Sequence, residues 1–461
     1  MGIIVQKFGG TSVGSGDRLR MVADIIENSR KRSPIIAVVS AMSPTRKAEG
    51  TTNLLLEASQ LALEGEPFAG PLSRIEALHL AAIEVAISNR DLRREMQDAL
   101  EDELNRLHSF LEAIEVIREL SARSEDVLLS TGERLSATLL AATLRDRGLP
   151  ARLVDLTYAV PEGRRSVDPL FFRGLQPRFA ELCRPQDEDI PIVTGFFGLV
   201  PGGLLTSIGR GYTDFTAALV AAGLGYGEAD EMQVWKEVDG IFTADPRRVP
   251  TARVLPSISP IEASELTYFG SEVLHPFTME RVTSARIPIR IKNTFNPDGP
   301  GTVILEGDPE RAVPVTAVTA KSGITIFSVL SNRMYNAYGF LSRVFNVLND
   351  HGVVVDLVST SEVSISCTAE RAETVYAARS DLEQLGDVSI LEDRAILAMV
   401  GRGMKYAVGT AGKMFSALAG AGINIEMISQ GASEINISCV VTNDQAEPGL
   451  RAIHAAFLEQ P

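Results

Sequence analysis

The sequence predicts an α/β fold, a three-layer αβα sandwich around a mainly parallel sheet, followed by two small ferredoxin-like βαβ-type modules. In the first two thirds of the chain, short apolar runs of strand length alternate with stretches of helical apolar spacing, joined by short polar links. That is the pattern of parallel strands covered on both faces. The last third holds an internal repeat: Ile326, Phe345, Leu348 and Gly352 recur seventy residues on as Ile396, Phe415, Leu418 and Gly422.

Ile3 to Lys7 reads as the first strand, followed by Phe8-Gly-Gly-Thr-Ser-Val-Gly-Ser-Gly16 and a helix from about Asp17 to Arg32. Strand, glycine loop and helix is a geometry in which loop amides and a helix amino terminus hold phosphate. Lys7 at the strand end favours that use over a plain tight turn. No GxxxxGK[ST] occurs, and neither do the HRD and DFG signatures of protein kinases. Pro34 to Val39 is a second strand, ending in Ser40-Ala-Met and a polar connection to Thr51-Thr52-Asn53. From Leu54 to about Arg123 the spacing is helical, as in Leu100, Leu104, Leu107, Leu111 and Ile114. His79 and His108 lie inside it as half-buried or surface histidines, since neither has a second ligand at i+4.

Asp126 to Ser130 is expected as a strand or strand-like lead into Gly132-Glu133-Arg-Leu-Ser136, which opens a helix to about Arg147. Strands follow at Ala151 to Leu156 and Ile190 to Gly195. The stretch from Ser207 to Arg247 concentrates the chemistry. Gly209 and Gly211 permit positive φ and close approach of amides to an anion, and Arg210 between them offers a planar fork for carboxylate or phosphate. Asp214 is expected to cap a helix from Phe215 to Leu224, and Met232 to Trp235 to form a buried strand. Lys236 to Arg247 then makes a charged loop at the carboxyl end of that strand, where open α/β sheets bind ligands. His275, before proline, is expected as a hydrogen-bonded structural histidine, and Pro288 to Lys292 as a strand. Turn residues Asn296 to Gly301 close a first domain at about 305, Glu306 to Pro314 forms a linker, and the repeats divide the remainder into 315–392 and 393–461.

At 461 residues, two or three domains are expected. Hydrophobic content of 45% and charged content of 22% suit a soluble globular protein. A net charge of −15 argues against a nucleic-acid surface. Cys183, Cys367 and Cys439 are far apart without CxxC spacing, so neither disulfides nor a structural metal site is expected, and a reducing compartment is. A strand begins at once, residue 6 is Gln, and no apolar run approaches the roughly 20 residues that span a bilayer. A cytoplasmic protein without membrane attachment is the expectation.

GRGYTDFTAA, WKEVDGIFTADPR and FGSEVLHPF, with KFGGTSVG, VVSAM and GERLS before them, resemble the corresponding blocks of the aspartokinases, members of the amino acid kinase family, in the same order. The likeness runs over nearly the whole chain and follows the fungal type. It implies an amino acid kinase-like catalytic domain over 1–305 and ACT domains, amino-acid-sensing modules, in the repeats. It further implies transfer of the γ-phosphoryl group of ATP, with Mg²⁺, to the side-chain carboxylate of L-aspartate, giving 4-phospho-L-aspartate.

By the same resemblance Lys7, Arg210 and Asp214 are catalytic, Asp214 either orienting Lys7 or lying near magnesium. Ser40, Thr52, Glu133 and Arg210 bind substrate, with Glu133 on the α-ammonium and Arg210 on the α-carboxylate. Nucleotide contacts fall to Lys7, Gly9, Gly10, Thr213, Lys236, Glu237, Phe242 and Arg247. An effector amino acid, threonine in preference to lysine, is placed at Phe340, Leu341, Asp356, Ser361 and Glu362, although Asp356 read alone could simply end a strand. The ACT modules imply a homo-oligomer.

Two departures from the common bacterial pattern stand out. Tyr212-Thr213 replaces Gly-Ser beside the substrate loop, and Glu272 stands where many members carry lysine. Lys236, in place of a small polar residue, is expected to supply that charge. Other readings are a specialised-pathway paralogue that is feedback-insensitive or acts on an aspartate analogue, and a non-catalytic amino-acid-binding regulator. The full set of Lys7, Glu133, Arg210 and Asp214 speaks against the regulator.

Overall fold

Strand Ile3–Phe8 (β1) is buried at all but one position, as a strand covered on both faces must be. The computed structural model of the chain describes residues 2–44, 49–161, 167–198, 200–209, 211–269, 274, 276–307, 313–331, 339–431 and 435–459. Arg210, Glu272 and His275 lie outside the described residues, as does most of the expected linker. After β1 come helix Gly16–Arg30 (α1), strand Ile35–Val39 (β2), and helices Thr51–Glu64 (α2), Ala69–Ala86 (α3), Arg90–Ile117 (α4) and Ala122–Asp146 (α5). Strand Ala151–Val154 (β3), helix Pro169–Cys183 (α6), strand Ile190–Thr194 (β4), helices Leu204–Ile208 (α7) and Tyr212–Leu224 (α8), and strand Ala229–Lys236 (β5) follow. Then come strand Ser257–Ile258 (β6), helices Pro260–Tyr268 (α9) and Pro276–Ser284 (α10), and strands Ile289–Asn293 (β7) and Thr302–Ile304 (β8).

Two units emerge from the packing, Met1–Ile241 with Leu274–Gly307, and Phe242–Val273 with Asp308–Pro461. The chain therefore crosses between them more than once, whereas the sequence suggests a single boundary near 305. Within the first unit the sheet runs β3-β4-β2-β1-β5-β7-β8, parallel except for β8. Successive residues of β1 point to opposite faces. Gln6 donates to Ser29 Oγ of α1 at 2.9 Å, while Lys7 reaches Asp214 of α8. The layer containing α1 and α5 thus covers one face and the layer containing α8 the other.

Three local expectations change. No strand forms at Asp126 to Ser130. Ser121 caps a single helix, its Oγ accepting from the Ser124 amide at 3.1 Å, and α5 runs unbroken through Gly132. The apolar series Leu128, Leu129, Leu135, Leu139 and Leu140 is helical throughout, and all five are buried. Second, α8 begins at Tyr212 with Gly211 at its cap position at φ 120°, so Asp214 lies in the first turn rather than at the cap. Third, His79 is fully buried, because α3 is covered by other helices.

The second unit adds strand Ala317–Leu330 (β9), helix Phe340–Asp350 (α11), strands Val355–Thr360 (β10) and Ser364–Ala369 (β11), helix Ala372–Glu383 (α12) and strand Asp387–Val400 (β12). It ends with helix Thr410–Gly420 (α13), strands Met427–Gln430 (β13) and Asn436–Thr442 (β14), and helix Ala446–Leu458 (α14). The six strands form an antiparallel sheet in the order β10-β11-β9-β12-β14-β13. Its modules are nested rather than consecutive. Phe327, Val344, Leu348, Ile365 and Val375 share one core, whereas Val318, Leu397, Met414, Leu418 and Leu450 share another. Each long strand therefore serves both, its halves separated at Gly323 (φ 75°) and Asp393 (φ 58°), beside the register shift between β9 and β12. Among the described residues no helix is long and apolar enough to cross a membrane.

Glu262 ties this unit together. Its Oε2 accepts from the Ser259 amide and hydroxyl at 3.1 and 2.6 Å, and its Oε1 from the Thr316 hydroxyl and Arg402 amide at 2.6 and 3.0 Å. Glu262→Ala removes the acceptor shared by these donors and is expected to destabilise the second unit by about 2–3 kcal/mol, read as a lower urea midpoint.

Candidate active site

The parallel strands of the first unit open their carboxyl ends on one edge. On that edge Lys7 Nζ lies 2.8 Å from Asp214 Oδ1, with side chains 10% and 11% exposed. Lys7 is in register with Val234, so Lys236, two residues on, belongs to the same face. Phe8 stacks on Trp235 across the same strand pair at 5.9 Å and 17°, which fixes that register.

The glycine loop after β1 is shaped by close packing against residues 41–43. A Cβ on Gly10 would stand 2.5 Å from the Ala41 carbonyl oxygen, and one on Gly14 only 1.9 Å from that of Ser43. The Ser43 amide donates to the Gly10 carbonyl at 3.0 Å, and the Ser12 and Thr294 hydroxyls, 3.0 Å apart, hold the loop to the end of β7. Gly9 lies beside the Lys7 ammonium, since its Cβ would be an ordinary 3.6 Å from Nζ.

Glu133 comes to this edge from α5. Gly132 lets the helix approach, since a Cβ there would be 2.9 Å from Ala41 Cβ. The Tyr212 hydroxyl donates to Glu133 Oε1 at 2.8 Å, while Oε2 is buried without a hydrogen-bond partner among the described residues. Burial pushes the Glu133 carboxyl up to about 7, against the opposing pull of the Tyr212 hydroxyl and the Ala41 amide. Tyr212 packs edge-to-face on Phe196 at 5.5 Å. Its bond to Glu133 is the contact sequence reasoning missed. The tyrosine was visible as a departure from pattern, but no short-range spacing links residues 79 apart.

The remaining expected residues divide between the units. Ser40 donates its amide to the Phe8 carbonyl at 3.2 Å, and Thr52 lies in the first turn of α2. Thr213 is buried against Gly195, whose Cβ would stand 2.5 Å from Thr213 Cγ2. The Lys236 carbonyl accepts from the Thr294 amide at 2.8 Å, and Glu237 is exposed. Lys7, Gly9, Gly10, Ser40, Thr52, Glu133, Thr213, Asp214, Lys236 and Glu237 thus share the first unit. Phe242 and Arg247 belong to the second, where Arg247 pairs with Asp245 at 2.7 Å and shapes its own loop.

In the first module of the second unit, Phe340 is buried at the start of α11 and Leu341 is exposed. Asp356 Oδ1 lies 3.0 Å from Lys321 Nζ, while Oδ2 is buried without a hydrogen-bond partner among the described residues. Burial raises the Asp356 carboxyl above its ordinary range, opposed by Lys321. Ser361 and Glu362 are exposed between β10 and β11.

A cation paired with a carboxylate at a parallel-sheet edge beside a glycine loop is an arrangement that can place phosphate oxygens. Residues 2–293 match the amino acid kinase family, and residues 327–380 and 397–457 match the ACT domain. The chain belongs to the amino acid kinase family, among its ACT-bearing aspartokinases. The aspartokinase of Schizosaccharomyces pombe is 45% identical over 489 residues, covering 99% of this chain and 93% of the relative. That of Saccharomyces cerevisiae is 42% identical over 493 residues with the same shares, 99% and 93%. Among solved structures, E. coli aspartokinase III in complex with aspartate and ADP, described as an R-state, aligns at a TM-score of 0.78 and 28% identity, covering 99% of this chain and 100% of that one. A T-state of the E. coli enzyme with lysine and aspartate aligns equally, at 0.78 and 28%, covering 99% of each chain. This chain is accordingly an enzyme of the kinase class whose acceptor is a carboxyl group.

Since burial holds the Glu133 pKa at about 7 in the folded chain, above its ordinary 4.5, ionising it costs stability. The cost is absent below about pH 4.5 and reaches about 3 kcal/mol above pH 7. Glu133→Gln is therefore expected to melt higher than wild type at pH 8 and near wild type at pH 5, by differential scanning fluorimetry without substrate. Equal melting at pH 8 would contradict the burial of Oε2.

Proposed function

We propose that this chain is an aspartate kinase that moves the γ-phosphoryl group of ATP to the side-chain carboxylate of L-aspartate, giving 4-phospho-L-aspartate, and that threonine, in preference to lysine, restrains it. Glu133 Oε2 carries the reading: a buried carboxylate oxygen without a partner among the described residues is the group that accepts an ammonium. An arriving α-ammonium would restore Glu133 to its ionised form. Arg210 then takes the α-carboxylate, Ser40 and Thr52 line the substrate, and the side-chain carboxylate is left toward Lys7. The E. coli relative solved with aspartate and ADP supports the same pair of ligands.

The chemistry asks little covalent help of the protein. Free aspartate has a side-chain pKa near ~3.9 and is already ionised, so the attacking oxygen needs no general base. What it needs is in-line placement and relief of charge repulsion. Lys7, oriented by Asp214 at 2.8 Å, meets phosphate oxygens at the Gly9–Gly10 amides. Lys236 adds a second cation in place of the lysine lost at 272, and Thr213 and Glu237 complete the nucleotide contacts within the first unit. Mg²⁺ would be held through one or two carboxylates and the nucleotide phosphates, and Asp214 is the carboxylate on this edge that would lie near it, if it does not serve only to orient Lys7. When bound, the metal neutralises charge on the transferring group.

Regulation falls to the first module. The unpartnered Oδ2 of Asp356 is the support for an effector ammonium there, with Phe340, Leu341, Ser361 and Glu362 around it. An effector that binds one arrangement of the chain better than another shifts the balance between them. Exposed Val354, Val358 and Ile428 on and beside the outer strands support a homo-oligomer.

ADP release from MgATP is expected to require L-aspartate, to yield an acyl phosphate trapped by hydroxylamine, and to fall with threonine. Absence of turnover with aspartate would overturn the assignment. Lys236→Ala is expected to lower kcat about tenfold or more, and an unchanged kcat would remove Lys236 from the phosphate site. Asp356→Ala should leave kcat near wild type while abolishing threonine inhibition; intact inhibition would place the effector elsewhere.

A further inference from the structure

Away from the substrate edge, the helical layer of the first unit holds a cavity of about 160 Å³, partly open to solvent, between α3, α4, α5 and β3. Its wall is mostly aliphatic, with Ile83, Met96 and Leu100 among its lining, and carries His79, Glu103, Arg134 and Thr138 as polar side chains. An engineered apolar cavity of ~150 Å³ admits benzene, so this space suits a molecule of similar size.

The cavity is separate from the substrate site although neighbouring residues serve the two. An α-helix turns ~100° per residue. Glu133 consequently faces Tyr212 and Ala41, while Arg134 faces Glu103 on α4 and Asp155, 3.6 Å away.

The polar groups of the wall specify what would fit. His79 is 2% exposed, and its Nδ1 lies 2.7 Å from the Ile75 carbonyl oxygen. A carbonyl only accepts, so Nδ1 carries the proton and Nε2 is left as an acceptor. Burial lowers the His79 pKa to about 4, which keeps the ring neutral near pH 7. Nε2 has no hydrogen-bond partner among the described residues, and neither does the buried Nε–H donor of Arg134. The guanidinium charge is already met by Glu103 and Asp155, so no excess positive charge remains to draw an anion. One unmet acceptor and one unmet donor on an aliphatic wall call for a ligand with one of each, an aliphatic body and no net charge.

We propose that this cavity is a binding site for a small uncharged aliphatic molecule with a hydroxyl or primary amide head, which donates to His79 Nε2 and accepts from Arg134 Nε.

Pentanamide titrated into the full-length protein by ligand-observed NMR tests this, with cyclopentane and pentanoate as controls. Saturable binding is expected with a Kd on the order of 1 mM, about tenfold tighter than either control. Ala99→Phe, which places a ring at an exposed position of the lining, should abolish binding while melting within a few degrees of wild type. His79→Leu should erase the preference for the amide over cyclopentane. No saturable binding, equal binding to Ala99→Phe, or pentanoate binding as tightly as pentanamide would overturn the proposal.

Discussion

The ion pair between Lys7 and Asp214 is the constraint on which the rest of the catalytic unit depends. Two opposite charges 2.8 Å apart, each about a tenth exposed, hold each other in place. The pair joins the end of the central strand to the first turn of α8. It therefore requires that helix to start close over the sheet edge. Gly195 makes the approach possible, because a Cβ there would stand 2.5 Å from both the Val39 carbonyl oxygen and Thr213. The glycine loop, the lysine and the helix amino terminus converge because this contact draws them together.

Glu133 is the opposite case, a group the fold holds at a cost. Its ionised form is disfavoured by burial, and Tyr212 satisfies only one of its oxygens. Buried polar groups are normally paired, and exceptions concentrate where a ligand completes the set. The Tyr212 bond also links the layer of α5 to the layer of α8 across the sheet edge. A substrate held by Glu133 would thus be registered against the same helix that orients Lys7.

Nesting gives the second unit its mechanical character. β9 and β12 each run through two cores, so neither module owns a complete set of strands. A shift at Asp356 bears on Lys321, which lies on β9, the strand that also carries Val318 into the other core. Coupling between modules then needs no separate relay, only a continuous strand pair with two arrangements.

Much of this could be read from the residues. Alternating apolar runs placed β1, β2, β4, β5 and β7 within a few positions, because strands buried on both faces leave little freedom of composition. Glycine spacing marked the tight loop between β1 and α1, and the seventy-residue repeat marked the paired modules. Asp126 to Ser130 was misleading because a short apolar run does not distinguish a buried helix from a strand. By itself, the sequence determined the class of fold, the chemical types available at the site and their order along the chain, since these follow from local pattern. Only tertiary structure decided that Asp214 meets Lys7 rather than capping its helix, that Tyr212 meets Glu133, and that the modules are nested. Each of those depends on which distant segments share a sheet edge or a core, and contacts of that kind leave no periodicity in the chain.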